Sequence, residues 1–158
     1  MSRVLITITG ISRWAVVNGI WAMIRHRDYI PDKVYLVNRI GNEAEGERLM
    51  ESIRFLIRSH GREAEIVHVK VDEKDFVRIG RKISSLIETE KEEGNEVALD
   101  ITPGRKAVVA SALIAAREKG IDHVFYLYIE DAFMADKPFP MIPFQIQHAI
   151  DLETEVWE

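Results

Sequence analysis

The chain holds 158 residues with a formal net charge of −5, 47% apolar side chains and no cysteine. That length suits one domain burying roughly 70% of its unfolded surface, and the acidic balance excludes broad attraction to duplex DNA, so an anionic ligand must sit in a local basic pocket. The missing thiols exclude a disulfide frame, thiolate catalysis and a cysteine-built zinc site.

Strand and helix patterns alternate from the first residues. Val4-Leu5-Ile6-Thr7-Ile8-Thr9 is a β-branched run without polar alternation, the pattern of a central strand buried on both faces. It ends in Gly10-Ile11-Ser12-Arg13, after which Trp14 to His26 places Val17, Ile20, Trp21 and Ile24 at helical spacing. Lys33 to Val37, following a Pro31-Asp32 turn, predicts a second strand, and Leu49, Ile53, Leu56 and Ile57 mark one face of a helix over about Asn42 to His60. Ile66 to Val71 alternates as a strand nearer the sheet edge does, and Phe76, Ile79, Ile83, Leu86 and Ile87 outline an amphipathic helix whose solvated end is Glu88 to Glu96. Glu96 to Asp100 is the fourth strand, Lys106 to Lys119 the fourth helix and His123 to Tyr128 the fifth strand. Asp131 to Pro143 holds three of the five prolines and reads as a long loop. Its first part leaves the sheet at the end where the loops after strands one and four lie, as a lid or as an ordinary connection. Phe144 to Ile150 alternates like a half-exposed, antiparallel edge strand.

This order predicts an α/β fold: a doubly wound, Rossmann-like three-layer sandwich with a mainly parallel sheet of order 3-2-1-4-5 and a C-terminal antiparallel edge strand. No linker, low-complexity tract or fixed-period repeat divides it, so residues 1–158 are expected to form a single domain. Met1-Ser2-Arg3-Val4 enters a strand without a signal-peptide pattern, and the most apolar stretch, Ala107 to Ala116, is too short to span a bilayer. A cytoplasmic protein with no membrane partner is expected. In such a sheet strands one and four lie side by side, and the crevice between their carboxyl ends is where a ligand binds.

The residues around that crevice carry the chemistry. In Leu99-Asp100-Ile101-Thr102-Pro103-Gly104-Arg105-Lys106 a strand stops at an acid, turns, presents two cations and enters a small-residue helix, Ala107-Val108-Val109-Ala110-Ser111-Ala112. Thr102 is expected to cap that helix and Pro103 to take its first position. Free backbone N–H groups, the positive end of the helix dipole and the cations Arg105 and Lys106 together suit a phosphate. Asp100 is expected to hold the turn. Ser12 either caps the first helix or meets the ligand; Trp14 either docks its helix or stacks on a base; Asn38 and Arg39, leaving the second strand at the same end, either read a nucleotide or form an ordinary loop. His26, His60, His68, His123 and His148 show no ligand spacing, and neither key loop holds paired carboxylates, so no metal and no cofactor are expected. The phosphate-loop spacing of nucleotide kinases and the dinucleotide glycine fingerprint are both absent.

Two of these segments resemble the CARF family, the CRISPR-associated Rossmann-fold domains. Thr7-Ile8-Thr9-Gly10-Ile11-Ser12 is similar to the family's first-strand loop, and Asp100-Ile101-Thr102-Pro103-Gly104-Arg105-Lys106 to its Asp-x-Thr-x-Gly-x-Lys block, with agreement in element order from Arg3 to Asp131. Pro103 stands where a glycine is frequent, and Ile11-Ser12-Arg13-Trp14 where Thr-Ser-Pro is frequent. The resemblance implies a homodimer that binds cyclic oligoadenylate, the second messenger of type III CRISPR antiviral defence. With no effector domain expected, it implies a standalone ring nuclease that cuts cyclic tetra-adenylate and switches the response off. Ser12 and Lys106 then map to the catalytic positions, while Gly10, Ile11, Arg13, Trp14, Asn38, Arg39, Thr102, Pro103, Gly104 and Arg105 form the ligand-binding set.

Cleavage of such a small RNA ring has a metal-independent route, in which the ribose 2′-hydroxyl attacks the adjacent phosphate in line and leaves linear oligoadenylate with a 2′,3′-cyclic phosphate end. Lys106 and its helix start supply positive field, Ser12 orients an oxygen, and Arg13 and Arg105 neutralise neighbouring phosphates. No histidine stands in either loop, so turnover is expected to be slow. A cyclic tetranucleotide has two-fold symmetry and suits an isologous pair of subunits, for which the apolar helix Lys106 to Lys119 is a candidate interface. Two other readings remain: a non-catalytic cyclic-oligoadenylate sensor acting through a partner, and a regulatory module with a macromolecular ligand.

Overall fold

A computed structural model describes residues 1–155; residues 156–158 of the expected domain lie outside the described residues. Six strands form one sheet in the order β3-β2-β1-β4-β5-β6. They are β1 (Arg3–Ile8), β2 (Lys33–Arg39), β3 (Glu65–Val71), β4 (Glu96–Asp100), β5 (His123–Ile129) and β6 (Gln147–Asp151). The first five pair in parallel, and β6 runs antiparallel along the outer edge of β5. β3, whose sequence alternates, is the opposite edge. Among the described residues no helix is long and apolar enough to cross a membrane.

The pleat divides the core. Leu5 of β1 joins a cluster with Val16, Ile20 and Met23 of α1 (Arg13–Arg27) and Ile53 and Ile57 of α2 (Glu43–Ser59). Val4, Ile6 and Ile8 join the other cluster, with Ile79, Ile83 and Ile87 of α3 (Phe76–Glu92) and Val108, Ala112 and Ala116 of α4 (Lys106–Glu118). A strand apolar on both faces therefore sits at the centre, because helices cover both sides of it.

Two local expectations are corrected. Thr102 and Pro103 do not open α4: the helix starts at Lys106, Arg105 is its N-cap, and no side chain caps it. The Thr102 hydroxyl instead accepts from the Leu127 amide at 2.9 Å. The β4 ladder runs out with Ile101 N–H donating to Phe125 O, so the next amide of β5 takes a side-chain oxygen in place of a backbone one. In the tail, Phe144 to Ile146 is a 3-10 turn rather than strand, and β6 begins only at Gln147. Pro143 opens that turn, and the Phe144 ring lies 5.0 Å from that of His26, which holds it off the sheet.

Candidate functional site

Parallel order points the carboxyl ends of β1 and β4 the same way, and the loops that follow them touch. A Cβ built on Gly10 would stand 2.7 Å from the Gly104 nitrogen, so the two backbones meet because neither residue has a side chain there. Gly104 also takes a φ of 101°, a conformation that suits glycine. Ser12 caps α1, its hydroxyl accepting from Ala15 N–H at 3.3 Å while donating to the Asp136 carboxylate.

Ser12 is the wall between two hollows. One, of about 370 Å³, lies between the first loop and the start of α2 and is lined by Gly10, Ile11, Arg13, Arg39 and Arg48. The other, of about 400 Å³, lies over β5 and is lined by Asn18, Thr102, Tyr126, Tyr128 and Asp136. The strand-one and strand-four loops therefore meet at their glycines, and both contribute to the second hollow, which Ser12 and Thr102 line. Lys106 is exposed at the head of α4 and lines neither hollow.

The cations are mostly engaged. Arg13 lies 3.4 Å from Glu45, and Glu73, in the connection after β3, lies 3.8 Å from Arg39 and 3.7 Å from Arg105. Among the described residues Lys106 has no ion pair. Pro103 is buried, and Ile11 projects into solvent. Trp14 is partly exposed and belongs to neither buried apolar cluster. Asn38 is fully buried: its carbonyl accepts from Thr9 Oγ1 at 2.8 Å and its amide donates to Asn42 O at 2.9 Å, tying the loops after β1 and β2 together. Arg39, beside it, is exposed and turned toward Glu73.

Asp100 holds its turn as expected, one carboxylate oxygen accepting from Thr102 N–H at 2.9 Å. Its other oxygen is buried without a partner, close against Gly19 of α1, and burial pushes the carboxyl up to about 7. Sequence reasoning passed over Arg48, Glu73, Tyr126, Tyr128 and Asp136. Arg48 lies one turn inside a helix rather than in a loop, and the alternation of β5 was the only sign that its two tyrosines face away from the core.

Comparison with known proteins bears on the fold. No protein-family profile and no curated protein sequence matches the chain. Solved structures are similar, three of them as follows. A type III CRISPR defence DNA nuclease activated by cyclic oligoadenylate superposes with a TM-score of 0.60 at 19% identity over 82% of this chain and 19% of that one. Protein VC1899 from Vibrio cholerae gives 0.58 at 15% identity, covering 78% of this chain and 30% of that one. Csm6 from Enterococcus italicus, bound to cyclic hexa-2′-fluoro-hexa-dAMP, gives 0.60 at 15% identity over 95% of this chain and 41% of that one. The chain thus spans less than half the length of each. The shared fold is consistent with the CRISPR-associated Rossmann family that the two loop segments resemble.

Proposed function

We propose that the chain binds a cyclic oligoadenylate, cyclic tetra-adenylate first among them, as a homodimer, and cleaves it without a metal. The reading is supported by the contact of the two signature loops, Gly10 against Gly104, at the carboxyl ends of the central strands β1 and β4, from which Ser12, Arg13, Arg105 and the start of α4 follow. Two of the similar structures belong to proteins activated by or bound to cyclic oligonucleotides, which supports a ligand of that class.

Each residue has a task in the proposed reaction. The first amides of α4 lack acceptors within the helix and present its positive end. Lys106, unpaired at that end, takes the phosphate whose charge rises in the transition state; Arg105 and Arg13 hold the phosphates on either side. Ser12 positions an oxygen of the phosphate under attack. The 2′-hydroxyl loses its proton as the O–P bond forms, the 5′-oxygen leaves and takes up a proton, and the product carries a 2′,3′-cyclic phosphate.

The test is incubation of labelled cyclic tetra- and hexa-adenylate with the wild-type chain, Ser12→Ala and Lys106→Ala in EDTA. Linear products with cyclic phosphate ends are expected from the wild type, with about 10²–10³ lost in rate for Lys106→Ala. A ring that raises the melting temperature yet stays intact points to a sensor. If neither ring raises it, the reading falls.

A further inference from the structure

Ser12, Arg39 and Arg105 are each occupied by a carboxylate of the chain itself. Ser12 has one hydroxyl proton, and it goes to Asp136. Glu73 stands between Arg39 and Arg105, bridging the end of β2 and the head of α4 from the connection after β3. Lys106 alone of the site's candidate cations has no ion pair among the described residues. We propose that Asp136 and Glu73 are built-in counter-anions, standing where phosphates of the ligand go and giving way only to a polyanion that replaces both at once. The proposal rests on the ring reading and deepens it: it concerns what the site rejects.

Asp136 lies on a strap suited to release. The segment from Asp131 to Lys137 has its own turn bonds, Met134 N–H to Asp131 O at 2.9 Å and Lys137 N–H to Met134 O at 3.1 Å, so it keeps its shape when it moves. Phe133 at its tip is 90% exposed and anchors nothing. Polar contacts hold the far end: Ser12 to Asp136, and the Asn18 amide to Lys137 O at 2.7 Å. Glu73 is likewise partly exposed, and neither of its ion pairs is closer than 3.7 Å. Pairs of this kind are weak and exchangeable.

The consequence is selectivity. A single phosphate that displaces one carboxylate swaps one anion for another at the same donor and gains little. A ring carrying several phosphates meets Lys106, the two arginines and Ser12 together, and the later contacts form at high effective concentration. Abundant mononucleotides are excluded by this competition rather than by shape.

The test measures affinity for cyclic tetra-adenylate and for AMP by calorimetric titration of the wild type, Asp136→Asn, Glu73→Gln, the double variant and Glu130→Gln. Glu130 is an exposed acid beside the strap that pairs with His148 and holds no donor of the site. Each of the first two variants is expected to bind the ring roughly three- to fivefold more tightly. The double variant is expected to gain measurable AMP binding, and Glu130→Gln to stay within about twofold of the wild type. Wild-type ring binding that is unchanged or weakened in Asp136→Asn and Glu73→Gln overturns the competition and leaves the ring reading standing; so does an equal gain in Glu130→Gln, which marks general charge. No ring binding by any form, the double variant included, overturns both.

Discussion

Asp100 is buried with one carboxylate oxygen unpaired, and two further buried oxygens, Thr7 Oγ1 and Asn18 Oδ1, also lack partners. Thr7 pairs with Asp100 in register, so both side chains leave the sheet on the face that α1 covers, where Gly19 gives the carboxyl room. Among the described residues no charged group pairs with it, and burial raises the carboxyl from 3.8 to about 7, opposed only by the hydrogen bonds of Thr102. The folded chain therefore binds a proton that the unfolded chain releases near pH 4. The stabilisation from that proton is complete below about pH 4 and is lost as pH rises to 7, at up to roughly 1.4 kcal/mol per unit. Asp100→Asn keeps the bond to Thr102 N–H, cannot ionise, and brings a donor to the same oxygens. It is expected to unfold in more urea than the wild type at pH 8 and to differ less from it at pH 5. Equal differences at the two pH values would disprove the buried-proton account. The acid's role in the turn was legible from Asp-x-Thr before a helix; that Thr102 serves β5 instead of capping α4 was not, because its donor is 25 residues away and is unpaired only once the sheet has assembled.

Between elements, the decisive contact is glycine on glycine. A methyl group at position 10 would meet backbone, not a side chain able to rotate away, so Gly10→Ala must push the strand-one and strand-four loops apart. The expected cost is about 1–3 kcal/mol of stability, with cyclic tetra-adenylate affinity falling by at least tenfold by calorimetric titration. Unchanged affinity would mean that the loop contact does not shape the binding edge. The strand order behind this contact was readable beforehand, since five strands separated by amphipathic helices leave few right-handed arrangements. What the order could not supply was the traffic of charge across it. Ser12 meets Asp136 over a separation of 124 residues, and Glu73 meets two arginines, one ending β2 and one capping α4. Each acid belongs to a connection whose path depends on side-chain packing rather than periodicity. The tail shows the same limit: alternation from Phe144 onward matches a strand, yet Pro143 and the rings around His26 turn its first residues into a 3-10 turn.

For the molecule as a whole, α4 divides its surface in a way that bears on the proposed dimer. Val108, Ala112, Ala115 and Ala116 are buried, whereas Ala107, Ala110 and Ile114 lie outward, Ile114 at 71% exposure. The start of α3 adjoins them: Ser111 Oγ donates to Phe76 O at 2.6 Å, and Phe76 and Val77 are themselves exposed. These residues form an apolar stripe that begins near the N-terminal end of α4. Two copies joined there by a two-fold axis would bring both Lys106 residues to one side of the pair, where a two-fold symmetric ring meets each in the same way. Alanines at such a contact would allow the helices to approach closely, and Ile114 is the large apolar side chain that α4 turns outward. Ile114→Arg places two like charges against each other across the axis while leaving the folded subunit unaltered, because its side chain touches little within the chain. It is expected to halve the mass measured by light scattering, to keep the melting temperature of the free chain within a few degrees, and to lower ring affinity by at least tenfold, since one subunit then offers half of the contacts. A wild-type chain that scatters as a monomer with cyclic tetra-adenylate bound, or an Ile114→Arg variant that matches the wild type in mass and affinity, would place the ring on one subunit alone.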